Sequence, residues 1–307
     1  MRTLTLLICF GWLVPASADY RSEINLGYVW GNIDGGFGSG YTVPDYTPPA
    51  NTDAPTNGPI EPPLGPIDVA SIDEDYSGWN IGGQWFFAPV DTSLGPYQLA
   101  EFMSRASSIG GAYSSLEGDD SNFEIETWQV YTHITLGEAW VATAAFGSAD
   151  ATQSRDENDI DLYHVALGYY IAQYTRLRTG HNRENGDNIE YDRWSIDVNH
   201  VQQLENGMTW QASVLYGSLR GKSEIGQDDD GSDIEINMSW YFNDQFGVGA
   251  DYDIHARDAT GDTDRYSLWA NYFVSEKISL KLSHNSEEND DFNVDSSNIM
   301  FEAKYRL

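Results

Sequence analysis

Cysteine is almost missing: Cys9 is the single one in 307 residues. It lies inside an apolar run near the N-terminus, far from any small-residue cleavage signal. Disulfide-stapled scaffolds, thiol chemistry and cysteine-ligated metals are therefore excluded. Basic residues are scarce as well, 16 Lys and Arg against 48 Asp and Glu, for a formal charge of -32. Such a surface repels nucleic acid, which removes that class of partner. After the first segment, no run approaches the ~18 apolar residues that a membrane-spanning helix needs. Sustained helical periodicity is lacking too; Leu99 to Ser104 (LAEFMS) offers barely a turn and a half.

What is present begins with MRTLTLLICFGWLVPASADY. Arg2 supplies a short basic region, Leu4 to Val14 an apolar core, and Ala16-Ser17-Ala18 a small-x-small signal. This predicts a secretory signal peptide over 1–18, cleaved after Ala18 and leaving 19–307 as the mature domain.

The dominant pattern is alternation. In RYSLWANYFVSEKISLKLSH (265–284), Tyr266, Leu268, Ala270, Tyr272 and Val274 occupy every second position. Ser275-Glu276-Lys277 then turn the chain, and Ile278, Leu280 and Leu282 resume the rhythm. Period two is the signature of a strand with one apolar and one polar face. Fourteen such segments follow one another: 22–31, 77–88, 106–116, 122–135, 138–149, 159–172, 174–184, 188–201, 207–220, 232–243, 245–256, 263–274, 276–286 and 294–307. Most exceed the ~5–6 residues of an ordinary strand and reach the ~9–11 of a tilted transmembrane one.

The connections sort by length. Short turns fall around Gly137, Tyr174, Asn206-Gly207, Asn243-Asp244 and Ser275–Lys277. Longer acidic stretches alternate with them, among them DATQSRDEND (150–159) and EIGQDDDGSD (224–233). Short turns at one end and long polar loops at the other is the layout of outer-membrane barrels. Aromatics mark both ends of the segments. Trp140, Trp210, Trp240, Phe246, Tyr272 and Tyr305 sit near the short turns, and Trp194 and Tyr266 toward the long loops, as two interfacial girdles would. The fold expected is an all-β, transmembrane, antiparallel up-and-down barrel of about 14 strands, within a range of 12 to 16.

Two stretches carry a family resemblance. The C-terminal IMFEAKYRL, with Ile299, Phe301, Ala303, Tyr305 and Leu307 in alternation, resembles the terminal strand signal of outer-membrane proteins; Leu307 departs from the usual final aromatic. GPYQLAEFMSRASSIGGAYSS (95–115) is similar to the second-turn region of Gram-negative outer-membrane porins. The resemblance implies an outer-membrane location and a pore, and names no solute.

Parity then assigns the inward positions. Arg176, Arg178, Asp197, Glu235, Asp251, Asp253, His255, Arg265, Lys281, Glu302 and Lys304 are the expected pore lining. Their grouping on different strands suggests opposed basic and acidic ladders with a transverse field across the lumen. Asp251, Asp253 and His255, at i, i+2 and i+4, would also suit general-base hydrolysis, but no serine or second acidic pair can be set beside them. They are read as lining, with no catalytic residue. Asp228, Asp229, Asp230 and Asp233 have the carboxylate density of a weak divalent-cation site without the spacing of a calcium loop. No cofactor is expected. The partners implied are outer-membrane lipid and lipopolysaccharide, small solutes, and the barrel-assembly machinery through the C-terminal strand, with a homo-oligomer left open.

Eight of the eleven prolines, Pro44 to Pro66, crowd the connection 31–76. Proline lacks the N–H that a ladder needs, so this segment cannot be barrel wall. It is expected to pack over or into the mouth. The function read from all this is passive diffusion of small hydrophilic solutes or ions with weak cation preference. The alternative is a non-conducting barrel, either a surface protein or a barrel hydrolase.

Overall fold

The computed structural model describes residues 19–35, 38–42, 66–69, 73–118, 123–153, 156–186, 190–222, 228–258, 261–289 and 294–307. The segment 1–18, expected to be a signal peptide, and most of the proline-rich connection, 43–65, lie outside them.

Sixteen strands occur in chain order: β1 (Tyr20–Gly35), β2 (Gly38–Thr42), β3 (Pro66–Val69), β4 (Asp73–Val90), β5 (Ser108–Gly118), β6 (Phe123–Leu136), β7 (Trp140–Gln153), β8 (Asp156–Ala172), β9 (Thr175–Gly186), β10 (Glu190–Gln203), β11 (Thr209–Lys222), β12 (Gly231–Tyr241), β13 (Phe246–Arg257), β14 (Thr263–Ser275), β15 (Ile278–Asn289) and β16 (Val294–Arg306). Fourteen of them form one closed barrel in which each strand pairs with its sequence neighbour, and β1 closes the ring against both β16 and β4. The expected strand count is the observed one. The other two, β2 and β3, make a separate antiparallel pair within the proline-rich connection.

Several strands run past the expected limits. β8 begins at Asp156 rather than 159 and β1 continues to Gly35, so the connection between β7 and β8 shrinks to two residues. The acidic stretches expected as loops are in part strand extensions. A ladder whose polar groups face water on both sides loses nothing by continuing beyond the bilayer, and pairing satisfies its backbone.

Burial alternates as the sequence does, with polarity inverted relative to a soluble sheet. On β14, Leu268 is 55% exposed and Tyr272 49%, whereas Trp269 is 5% and Asn271 1%. The exposed belt is apolar and the enclosed face largely polar, which in a closed barrel sets the apolar face toward lipid. Aromatic pairs brace the belt: Trp140 meets Tyr169 at 4.8 Å near the short turns, and Trp128, Phe146 and Tyr163 form a chain at 5.3 and 5.2 Å nearer the other end. Each such pair contributes about 0.5–1.5 kcal/mol beyond area burial. At the short turn after β10, Gly207 has φ of 83°, a left-handed conformation that a side chain would strain, and Asn206 Oδ1 accepts from Met208 N–H at 3.1 Å.

Candidate functional site

All eleven predicted lining residues lie on the enclosed face. Their mutual arrangement differs from the expected opposed ladders. Bases and acids pair locally, strand to neighbouring strand: Arg178 Nε to Asp197 Oδ2 at 2.6 Å, Arg265 Nη2 to Glu287 Oε2 at 3.0 Å, Lys304 Nζ to Glu23 Oε1 at 3.5 Å. Lys281 and Glu302 are direct register partners on β15 and β16. A buried charge without a partner costs several kcal/mol, so neighbours neutralise one another before any field can span the lumen.

The densest node is Asp233 on β12, which is fully enclosed. Arg193 Nε reaches its Oδ2 at 2.6 Å, Arg257 Nη1 its Oδ1 at 2.6 Å and His255 Nδ1 its Oδ1 at 3.0 Å, while Arg193 also binds Glu235. Arg193 stands on β10, so its guanidinium crosses the whole of β11 to reach β12. It can do so because the residue between them is Gly217: a Cβ there would fall 2.8 Å from Arg193 Nε and 3.0 Å from Asp233 Oδ2.

The same node includes one residue of the acidic cluster. Asp233 faces two arginines and a histidine, and Asp229 accepts from Tyr191 Oη at 3.0 Å. Among the described residues, no three His, Cys, Asp or Glu side chains group as a metal ion requires, so Asp228, Asp229, Asp230 and Asp233 do not converge. The Asp251, Asp253, His255 set is likewise divided: His255 turns to Asp233, and Asp251 accepts from Asn237. The eight expected girdle aromatics, Trp140, Trp194, Trp210, Trp240, Phe246, Tyr266, Tyr272 and Tyr305, all lie on the outward face.

The inner wall divides along the chain. Inward side chains described on β4–β8 include no Asp, Glu, Lys or Arg; they are residues such as Asn80, Gln84, Leu116, Thr127, Gln129, His133, Thr143 and Ala149. From β9 round to β1 the wall is heavily charged. Glu235, Asn237, Asp251, Asp253, Arg265 and Ser267, on β12–β14, keep partial exposure while most other inward positions are buried.

Sequence reasoning missed the largest feature of the site, the β4–β5 connection of residues 91–107. It stands at the short-turn end yet is far longer than the turns beside it. Two 3₁₀ turns, Thr92–Leu94 and Tyr97–Leu99, lead into helix α1 (Ala100–Ser104). Leu99, Ala100 and Phe102 are wholly buried. Leu99, Phe102 and Met103 cluster with Val141, Tyr170, Val201, Tyr241 and Trp269, drawn from β7, β8, β10, β12 and β14. A second cluster joins Ala100 and Ala106 to Tyr20, Phe86 and Val90. Side chains from most of the circumference meet on this segment, so it occupies the mouth as a plug. Burying each of Leu99 and Phe102 contributes about 1.5–3 kcal/mol.

The plug is also tied to every short turn. Arg105 donates to the carbonyls of Glu138 and, at 2.7 Å, Gln173; Gln203 Nε2 donates to Leu94 O at 2.6 Å; Tyr97 N–H donates to Asp244 O at 2.9 Å and Tyr97 Oη to Glu276 Oε1 at 3.3 Å. The predicted lining residue Arg176 packs its guanidinium 5.5 Å from the Phe102 ring. On the side facing β1 and β16 the contacts change character: Tyr20 Oη donates to Glu101 Oε1 at 3.1 Å, and Glu23, Lys304 and Arg306 surround that carboxyl. Burial, with the Glu23 charge next, raises the Glu101 carboxyl to about 8.

Among solved structures, the Acinetobacter baumannii outer membrane protein Omp33 superimposes with a TM-score of 0.58 over 95% of this chain and 100% of its own, at 13% identity. A Pseudomonas aeruginosa FadL homologue does so with a TM-score of 0.52 over 93% and 90%, at 11% identity. At such identities the likeness concerns the barrel alone. No curated protein matches the chain. The sequence model of the family described as "Putative general bacterial porin" matches residues 70–305, and the chain therefore belongs to that family of Gram-negative outer-membrane β-barrels.

Proposed function

We propose that this porin admits small hydrophilic solutes and ions by passive diffusion, with a weak preference for cations. The observation that carries the reading is the partly exposed stretch of enclosed wall on β12–β14, where Glu235, Asp251 and Asp253 outnumber Arg265. Local pairing leaves the interior near neutrality, so most of the protein's negative charge lies on the outward and loop surfaces. There it concentrates cations at the mouth within roughly a Debye length of ~8 Å at physiological salt. The C-terminal strand β16, which closes the ring against β1, is the segment that barrel-assembly machinery would receive.

A salt gradient across a planar bilayer tests this. The expected result is stable conductance steps with a reversal potential favouring potassium over chloride. The Glu235→Gln/Asp253→Asn double variant should shift that potential toward zero. A chloride preference would overturn the selectivity. The plug favours a second reading, a barrel that does not conduct, and folded protein that inserts and stays silent would establish it.

A further inference from the structure

The plug is held by two kinds of contact. Its far side and its root are apolar, through Leu99, Phe102 and Met103 on one cluster and Ala100 and Ala106 on the other. Between these patches, Glu101 faces the β1–β16 wall through Tyr20, Glu23, Lys304 and Arg306. Arg306 is braced here, its guanidinium 4.4 Å from the Tyr20 ring and 4.7 Å from the Phe273 ring, with Nε donating to Glu23 Oε2 at 3.4 Å.

Separating apolar surfaces in water costs in proportion to the area exposed, about 25 cal/mol per Å². A neutral hydrogen bond that exchanges its protein partner for water does so at a smaller net cost. A plug under thermal motion therefore parts first where its contact is a hydrogen bond rather than an apolar surface. With the plug seated across this end on side chains from most of the circumference, the place that parts is the place through which a solute leaves.

We propose that the seam between Glu101 and the β1–β16 wall is the gate of the channel, with the plug remaining seated on its Leu99, Phe102 and Met103 contacts while this polar edge opens. A small polar solute passing there exchanges its own groups for the Glu101–Tyr20 and Glu23–Lys304–Arg306 contacts. Solutes that can both donate and accept hydrogen bonds fit the seam, and apolar ones do not. The inference rests on the porin reading above.

Reversible cross-linking tests it. Cys9 is the one native cysteine, so pairs can be introduced in a Cys9→Ser background and bridged with a short bifunctional methanethiosulfonate. Bridging Tyr20→Cys/Glu101→Cys should abolish the conductance steps in bilayers, and reductant should restore them. Bridging Phe102→Cys/Tyr170→Cys, whose native rings stand 5.7 Å apart on the apolar side, should leave the steps in place. Strand content by circular dichroism before bridging checks that each pair folds. Conductance that survives the seam bridge overturns the gate, and so does conductance lost with both bridges, which would mean that the whole plug must leave. Unsubstituted protein that folds but never conducts defeats the porin reading instead, so the two failures are distinguishable.

Discussion

The two walls of the lumen are built from one strand rhythm and differ in what they enclose. On β4–β8 the enclosed side chains among the described residues are neutral, and the described acids of those strands, Asp75, Glu117, Glu124, Glu126, Asp150, Asp159 and Asp161, lie on the outward face. From β9 round to β1, acids and bases stand on the inward face as well as on the outward one. The supply of bases accounts for the contrast. Between Arg21 and Arg176 the chain contains only Arg105 and Arg155, so an inward carboxylate on β4–β8 would lack a cation beside it. On the other wall Arg176, Arg178, Arg193, Arg257, Arg265, Lys281, Lys304 and Arg306 are at hand. Acids go inside only where a base accompanies them.

The largest effect should come from breaking a partnership on the charged wall. Asp233→Asn leaves Arg193, Arg257 and His255 around a neutral amide, and removing one partner of a buried ionic group costs about 3–5 kcal/mol. Thr127→Asp, whose register partners are Ser114 and Ala149, imposes the converse fault on the neutral wall, a carboxylate with no base beside it, and should cost a similar amount. Urea unfolding in lipid vesicles measures both. A loss below about 1 kcal/mol for either would mean that water inside the lumen already solvates these charges and that pairing does not decide their placement.

The plug bridges the two walls, and pH should show how it is seated. Glu101 belongs to the connection rather than to a spanning strand. Tyr20 and Glu23 on β1, Tyr131 on β6, and Lys304 and Arg306 on β16 face it. Its carboxyl is raised to about 8 when seated, from an ordinary 4.5, so the seated plug binds a proton that a released one gives up. Seating is then strongest below about 4.5 and weakens as pH rises to about 8. Open events in single-channel records should increase from pH 5 to pH 8.5, and Glu101→Gln should remove that dependence. A record that is flat in the unsubstituted protein, or one that still rises in Glu101→Gln, would show that this carboxyl does not hold the plug.

Strand number and parity were legible because each rests on local alternation, as Tyr266 to Val274 show, whereas the acidic extensions of β1 and β8 carry no such rhythm. The plug was not, although a signal existed: Leu99, Ala100, Phe102 and Met103 put four apolar side chains in a connection where the neighbouring turns are short and polar. What they pack on, Val201, Tyr241 and Trp269, lies about a hundred residues or more away, and periodicity carries no information about that. The charge pairing was misread for a related reason. Parity places Arg193 and Asp233 on the same face, but only closure and register reveal that Gly217 lets one reach the other across a strand.

The smallest effect should come from the outward face, where the same residue types meet in the open. Arg183 Nη2 binds Glu190 and Arg183 Nη1 lies 3.9 Å from Asp192, but the Arg183 and Glu190 side chains are 45% and 52% exposed. An exposed pair gains little over its solvated components and is screened by salt, so its median contribution is about 0–1 kcal/mol. Arg183→Gln should therefore leave stability within that range, and raising the salt concentration should erase whatever remains. In the enclosed Arg178–Asp197 pair, only 6% and 1% exposed, Arg178→Gln should cost several times more and respond weakly to salt. Equal losses for the two variants would show that enclosure, rather than bare proximity of charge, had been given too much weight in explaining why one wall is ionic and the other is not.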